Sequence, residues 1–290
     1  MRLLLDSFWR AVAYCLHPRV IVLSLLPLGL MIALATVLGY FYWDAAVAWT
    51  RAALDAWPLL AGFWGWIGRF FSGDVAAALA PLVVVFAATP LIVVVSLLVV
   101  AGIMAPALTR LVAERRFASL EQKKGASFFG SMARSVGLTV LALLALVVSM
   151  PLWLIPPLVL ILPPLIWGWL TYRVMSFDAL AEHASPEERD TLLRAHRLPL
   201  LGIGVLCGYL GAAPSIVWAS GLLFAAAFFV LAPLAIWIYT LVFAFSALWF
   251  AHYCLDALAQ LRAQRAAAAV SSSAVELLDA SAAASQWSAP

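Results

Sequence analysis

Charge is what this chain has least of. Only 11% of its 290 residues are Asp, Glu, Lys or Arg, against 66% hydrophobic, and the mean hydropathy is +1.05. A soluble domain is about one quarter charged, because polar side chains must cover its surface. That cover is missing here. The composition excludes an ordinary water-soluble globular protein and makes the lipid bilayer the chain's main partner. A net charge of +3 is no nucleic-acid signature, and no nucleic-acid partner is expected. The scarcity is also local: no Asp, Glu, Lys or Arg falls within residues 20–43, 75–109, 135–172 or 198–255. A charge at the bilayer centre costs at least about 2.5–3.5 kcal/mol and usually marks an ion or proton relay. Its absence argues against a carboxylate-relay pump.

Catalytic and cofactor motifs are missing too. HExxH, GxSxG, the P-loop and GxGxxG do not occur, so neither an enzyme activity nor a cofactor is expected. The three cysteines, Cys15, Cys207 and Cys254, lie far apart with no CxxC, and read as small buried hydrophobes. His183 and His196, beside Glu182 and Asp190, match no standard ligand spacing. They read as a solvated loop, and no metal site is expected. His252, near a span end, reads as interfacial.

What is present is apolar and interrupted. Residues 1–17 carry Leu4, Leu5, Phe8, Trp9, Val12 and Leu16 at helical spacing with Arg2, Asp6 and Arg10 between. This fits an amphipathic interfacial helix, or the first turns of the following span. Residues 20–43 and 75–109 are each long enough to cross a hydrocarbon core of roughly 30 Å as a helix. Residues 44–74 mix Asp44, Arg51, Asp55, Arg69 and Asp74 with four tryptophans, as an interfacial loop would.

Residues 135–172 differ in kind. Val136 to Met150 makes a helix of only about 22 Å, and Pro151, Pro156, Pro157, Pro163 and Pro164 follow. Proline lacks an N–H and clashes with the preceding turn, so these five cannot share one regular helix. Broken backbone at membrane depth survives only where protein or a water-filled cavity covers it, and a re-entrant hairpin satisfies this. A second hairpin is expected over 198–255, broken at Pro199, Pro214 and Pro233. Between the two, residues 173–197 read as an aqueous helical segment started by Ser185-Pro186-Glu187-Glu188. Residues 263–290, rich in Ala and Ser, read as a disordered tail. The fold class is therefore all-α integral membrane: a single domain over 1–262 with two long transmembrane helices and two proline- and glycine-broken hairpins.

Lys and Arg number three in residues 1–19, two in 44–74, six in 110–134, four in 173–197 and two in 256–290. The positive-inside rule then places the N-terminus, the loops 110–134 and 173–197, and the tail in the cytoplasm. Six full crossings would put them on the same side as two crossings plus two hairpins. Two features could handle an anion. Helix breaks at Pro151, Pro156, Pro157, Pro163, Pro164, Pro214 and Pro233 could present a positive dipole end, or serve only as kinks. Arg19, at the mouth of the first span, could attract an anion or serve as a topology anchor. Gly204-Val-Leu-Cys-Gly208 is a GxxxG that permits close helix approach.

The order of parts is similar to one known family. Leu16-His-Pro-Arg-Val-Ile-Val-Leu-Ser-Leu-Leu-Pro-Leu28 opens a long span, and a second long span ends in a basic loop. A proline-rich apolar hairpin leads into Trp167-Gly-Trp-Leu-Thr-Tyr-Arg-Val-Met-Ser-Phe-Asp-Ala-Leu180, and a broken apolar region ends in Phe250-Ala-His-Tyr-Cys-Leu-Asp256. Over roughly residues 1–262 this resembles the CysZ / etoposide-induced-protein family. The resemblance implies a bacterial inner-membrane protein, oligomeric, with two long helices and two hemi-penetrating hairpins, that takes up sulfate for cysteine synthesis. One departure stands out: where the sulfate transporters of the family carry Gly-Leu-Arg, this chain has Arg19, Val20 and Ile21. The expected function is transport of a small inorganic anion, sulfate first, with Arg19 as the substrate-facing residue. The alternative is a non-transporting membrane scaffold or envelope partner of the same fold.

Overall fold

The structure, a computed structural model, describes residues 2–56, 75–123, 128–212 and 228–287. These residues form helices α1 (Arg2–Cys15), α2 (Pro18–Ala56), α3 (Val75–Arg116), α4 (Phe128–Ser149), α5 (Pro156–Leu180), α6 (Pro186–Ala195), α7 (Arg197–Ala212) and α8 (Phe228–Trp287), with a 3-10 turn at Met150–Leu154 between α4 and α5. No strand occurs among the described residues. The all-α membrane class expected from composition is what is found, with four helices long and apolar enough to span a bilayer. Pro214 and residues 57–74 lie outside the described residues.

Helix α8 is the hub. It packs against α1, α2, α3, α5 and α7, and its segment from Ala244 to Leu258 supplies much of the buried core. Trp249 and Phe250 there are 2% and 0% exposed. Their partners come from α1, where Phe8 meets Trp249 edge-on at 5.0 Å and Ser7 Oγ accepts from Trp249 Nε1 at 3.1 Å. One end of α2 is pinned the same way, Ser24 Oγ accepting from Trp237 Nε1 at 2.9 Å. Elsewhere α2, α3 and α4 turn large apolar side chains outward, among them Phe41, Phe86, Leu98 and Val148. In water such helices would lose their burial energy. In lipid their exposure costs nothing.

Several boundaries differ from the sequence reading. Helix α2 runs through Asp44 to Ala56 rather than ending at residue 43. The stretch Asp44-Ala-Ala-Val-Ala-Trp-Thr-Arg-Ala-Ala-Leu-Asp-Ala56 is alanine-rich, and alanine is the strongest helix former. The same cause carries α8 onward to Trp287, through residues read above as a disordered tail. Helix α4 begins at Phe128, so it is 22 residues long and not intrinsically too short to span.

The five prolines of the first hairpin divide into two groups. Pro151 sits in the opening turn of the 3-10 element, and Pro156 and Pro157 in the first turn of α5. There an N–H would have no helical partner anyway. Pro163 and Pro164 lie inside α5, which continues through them. Pro164 cannot donate to the carbonyl of Leu160 four residues back, and the Tyr209 hydroxyl of α7 donates to that carbonyl instead at 3.2 Å. Helices α5 and α7 meet here over glycines. A Cβ on Gly208 would sit 3.0 Å from the Pro164 carbonyl, one on Gly168 would sit 2.6 Å from Val205 Cα, and one on Gly204 would collide with the Gly168 carbonyl. The GxxxG of α7 is thus matched by Gly168 on α5, a pairing that spacing within α7 alone cannot reveal.

Candidate anion site

The ends of α1, α3, α5 and α6 and the middle of α8 meet in a polar layer held by ion pairs. Arg116 Nη2 reaches Asp6 Oδ2 at 3.3 Å and Asp256 Oδ2 at 3.2 Å, and Arg10 holds Asp6 at 2.7 Å. The Arg10 hydrogen bond, with help from Arg116, lowers the Asp6 carboxyl below its ordinary range. Arg110 pairs with Glu182. The deepest carboxylate is Glu188, 2% exposed. It accepts from Lys123 Nζ at 3.0 Å and from Arg262 Nε and Nη2 at 3.1 and 2.9 Å. The same Arg262 donates to the carbonyls of Glu121 and His183 at 2.9 and 2.6 Å. Glu188 also closes a capping box with Ser185 at the start of α6, the helix start read from Ser185-Pro186-Glu187-Glu188. These bonds, the Arg262 pair foremost, hold its pKa down at about 2.

His183, read as part of a solvated loop, is buried instead, and His252 is covered by protein. His183 is 1% exposed and His252 0%. His252 packs edge-on against Tyr14 at 4.7 Å, and neither of its ring nitrogens has a described partner. His196 Nδ1 lies 2.9 Å from the Tyr253 hydroxyl. Among the described residues no three His, Cys, Asp or Glu side chains gather as a metal site.

With the paired charges accounted for, Arg2, Arg19, Arg115, Arg134, Arg173, Arg197 and Arg265 are arginines for which no ion pair is seen among the described residues. Two of them act on one imidazole. Arg19, exposed in the first turn of α2, and Arg115, exposed in the last turn of α3, both push the His17 imidazole below its ordinary pKa, after partial burial as the first cause. His17 Nδ1 accepts the Arg19 backbone N–H at 3.2 Å, so the imidazole caps α2 and carries its proton on Nε2 when neutral. The positive end of the α2 dipole points at the same spot. The result is a cationic mouth made of Arg19, Arg115, the α2 terminus and a histidine Nε2–H.

The proline breaks offer less. At the start of α5, Pro156 and Pro157 have no N–H, and Leu158 N–H already donates to the Ile155 carbonyl at 2.9 Å. Pro163, Pro164 and Pro233 lie within helices rather than at their ends. A cleft lined by Arg2, Leu3, Asp6, Asp256 and Gln260 and another lined by Asp44, Arg51 and Asp55 each carry two aspartates, the wrong sign for an anion. Arg115 was not among the residues singled out in the sequence. It is one of three basic residues near the end of α3, and only the fold shows that Arg116 is spent on Asp6 and Asp256 while Arg115 is within electrostatic reach of His17.

A helical chain whose long helices expose apolar side chains around a layer of ion pairs is an integral membrane protein of the multi-helix class. It belongs to the family described as Sulfate transporter CysZ/Etoposide-induced protein 2.4, whose model matches residues 7–220. That match runs from α1 through α7 and ends before α8. The family is a transporter-type membrane family, not a family of enzymes. No curated protein matches the chain, and no solved structure does.

Proposed function

We propose that this protein moves a small inorganic anion, sulfate first, across the bacterial inner membrane, with the cationic mouth at Arg19 and Arg115 as its cytoplasmic gate. The observation that carries this reading is that two exposed arginines, neither with an ion pair among the described residues, both act on His17 at the positive end of α2. Such a concentration of one sign raises local anion concentration and speeds capture by 10-fold or more. Arg19 takes the electrostatic role of the arginine that the family's Gly-Leu-Arg supplies. The backbone part of that motif has no counterpart here, because the first N–H groups of α2 already donate to His17.

The hairpin at Met150–Leu154 supports partial penetration. Its tip is apolar and outward-facing, with Leu154 88% exposed, whereas the far end of α2 carries Asp44, Arg51 and Asp55. The uncharged stretch from Arg134 to Met150 climbs about 24 Å, less than a hydrocarbon core of roughly 30 Å, although α4 as a whole, at 22 residues, has the length to cross. Prolines at the tip bring no N–H needing a partner in lipid. The large outward apolar surface suits both lipid and a second copy of the chain, as a homo-oligomer.

Radiolabelled sulfate uptake into liposomes containing the purified protein tests the reading. Flux well above protein-free vesicles is expected, and Arg19→Gln with Arg115→Gln is expected to lower it roughly tenfold at low salt. Flux equal to protein-free vesicles, for sulfate, sulfite and chloride alike, would overturn it. The scaffold reading draws on one observation, that the α2 donors are already engaged. It requires that a deletion strain's defect be indifferent to the sulfur source, whereas rescue by thiosulfate or cysteine favours transport.

A further inference from the structure

Residues 181–185 join α5 to α6, and three other parts of the bundle grip them. Arg110 of α3 pairs with Glu182. Arg262 of α8 donates to the His183 carbonyl at 2.6 Å, and Glu188 of α6 accepts the Ser185 backbone N–H at 3.0 Å. Within this grip the His183 side chain is fully buried, and its Nδ1 has no hydrogen-bond partner among the described residues. A ring nitrogen sealed from water without a partner costs free energy. Leucine or phenylalanine would fill a buried position without that cost, so packing alone does not call for histidine here.

We propose that His183 is a proton-operated latch on the α5–α6 turn: neutral, it stays buried and the turn is closed; protonated, it leaves for water and draws the turn out of the grip of Arg262. Two charged groups act on the imidazole, Glu182 from its own turn and Arg262 from α8. Behind them stand Arg110 of α3, Lys123 of the α3–α4 connection and Glu188 of α6. Both carboxylates are already paired, Glu182 with Arg110 and Glu188 with Lys123 and Arg262. A buried imidazolium would therefore have to break an existing pair or stand beside the Arg262 guanidinium. Burial foremost holds His183 below its ordinary 6.5, against the pull of Glu182, and Arg262 adds to the lowering. The open turn thus takes up the proton more readily than the closed one. The latch is fully closed above pH 6.5 and loosens as pH falls below it. Glu188, held down at about 2, stays charged through this range and is not what opens the turn. The latch lies on the covalent link between α5, which returns from the first hairpin, and α6, which leads into α7. It does not depend on the transport reading.

The test is amide hydrogen exchange of the full-length protein in neutral detergent, read by mass spectrometry over peptides that cover the turn. Protection is compared at about pH 7.5 and about pH 5.5, after correction for the intrinsic pH dependence of exchange. One pH unit below 6.5, a proton held only by the open form shifts opening by at most about tenfold. Protection of the turn in the wild-type protein is expected to fall several-fold, within about that limit. His183→Asn is expected to abolish the fall. His196, which burial also holds below its ordinary value, lies at the other end of α6, and His196→Asn is expected to leave the fall in place. Equal protection at the two pH values in the wild type, or a fall that persists in His183→Asn, overturns the latch. Exchange at the imidazole C2 position, followed peptide by peptide in the wild-type protein, reads the titration of His183 without any substitution. A midpoint below 6.5 supports the latch, and one at or above 6.5 overturns it even if His183→Asn does not fold.

Discussion

At the scale of single residues, Glu188 has the most to lose. Its carboxylate ties the basic α3–α4 connection, the start of α6 and the middle of α8 into one joint. Removing one partner of a buried, hydrogen-bonded ion group costs about 3–5 kcal/mol because the other charges are left uncompensated. Glu188→Gln keeps the shape and removes the charge, and is expected to lower the thermal midpoint of the detergent-solubilised protein clearly. An unchanged midpoint would show that Lys123 and Arg262 find water instead. Because the folded pKa of about 2 lies below the ordinary 4.5, the joint contributes fully above pH 4.5 and is lost as pH falls towards 2. His17 shifts in the same downward direction, so its cap on α2 is intact above its ordinary value of 6.5 and opens as acid protonates Nδ1. His17→Asn, which retains a capping oxygen, is expected to remove any acid-dependent change in sulfate flux between pH 7 and 5 that arises at this position. The capping box was legible from four consecutive letters. The burial of Glu188 was not, since its cationic partners stand 65 and 74 residues away. His252 shows the same limit: one polar letter at the end of an apolar run gives no sign that α1 covers it.

At the scale of elements, the apolar runs and their charged limits were legible because lipid imposes composition directly on each helix. Boundaries were less so. Alanine carries α2 and α8 past the points where hydropathy falls, and propensity acts where the hydropathy signal is silent. Proline positions announced the first hairpin's turn, yet they could not show that α5 tolerates Pro163 and Pro164 by lending the Leu160 carbonyl to Tyr209. The α5–α7 contact gives a sharp comparison between glycines two residues apart. Gly204 faces the Gly168 carbonyl, whereas a Cβ on Gly202 meets nothing within 4 Å. Gly204→Ala is therefore expected to destabilise the protein by about 1–3 kcal/mol through overpacking. Gly202→Ala should be neutral or stabilising by up to about 1 kcal/mol through helix propensity. Equal effects of the two in chemical unfolding would mean that α5 and α7 do not approach over this face.

At the scale of the whole molecule, the question is which layer of the bundle faces which side of the membrane, and how deep the first hairpin reaches. The polar layer ties α1, the end of α3, α6 and residues 256–262 of α8 together through direct ion pairs, so these parts share one side whatever the topology. In the orientation we propose from the basic loops, that side is the cytoplasm. In that orientation helix α2 leaves the layer at Pro18 and is expected to deliver Asp44 to the periplasm, since its uncharged run of about 36 Å exceeds the hydrocarbon thickness. Helix α4 leaves from the same layer with about 24 Å of apolar helix before its turn, and nothing polar follows at the tip to anchor it in water. In a background with Cys15, Cys207 and Cys254 replaced by serine, single cysteines at Asp44, Glu187 and Leu154 separate the possibilities. An impermeant maleimide applied to intact cells is expected to label Asp44→Cys and to spare Glu187→Cys, with the reverse in inside-out vesicles. Leu154→Cys, although outward-facing in the isolated chain, should react from neither side because lipid covers it. Labelling of Leu154→Cys from the periplasm would turn the hairpin into two full crossings while leaving the polar layer where it is. Labelling of Glu187→Cys from the periplasm would move the whole layer, and the cationic mouth with it, to the opposite face.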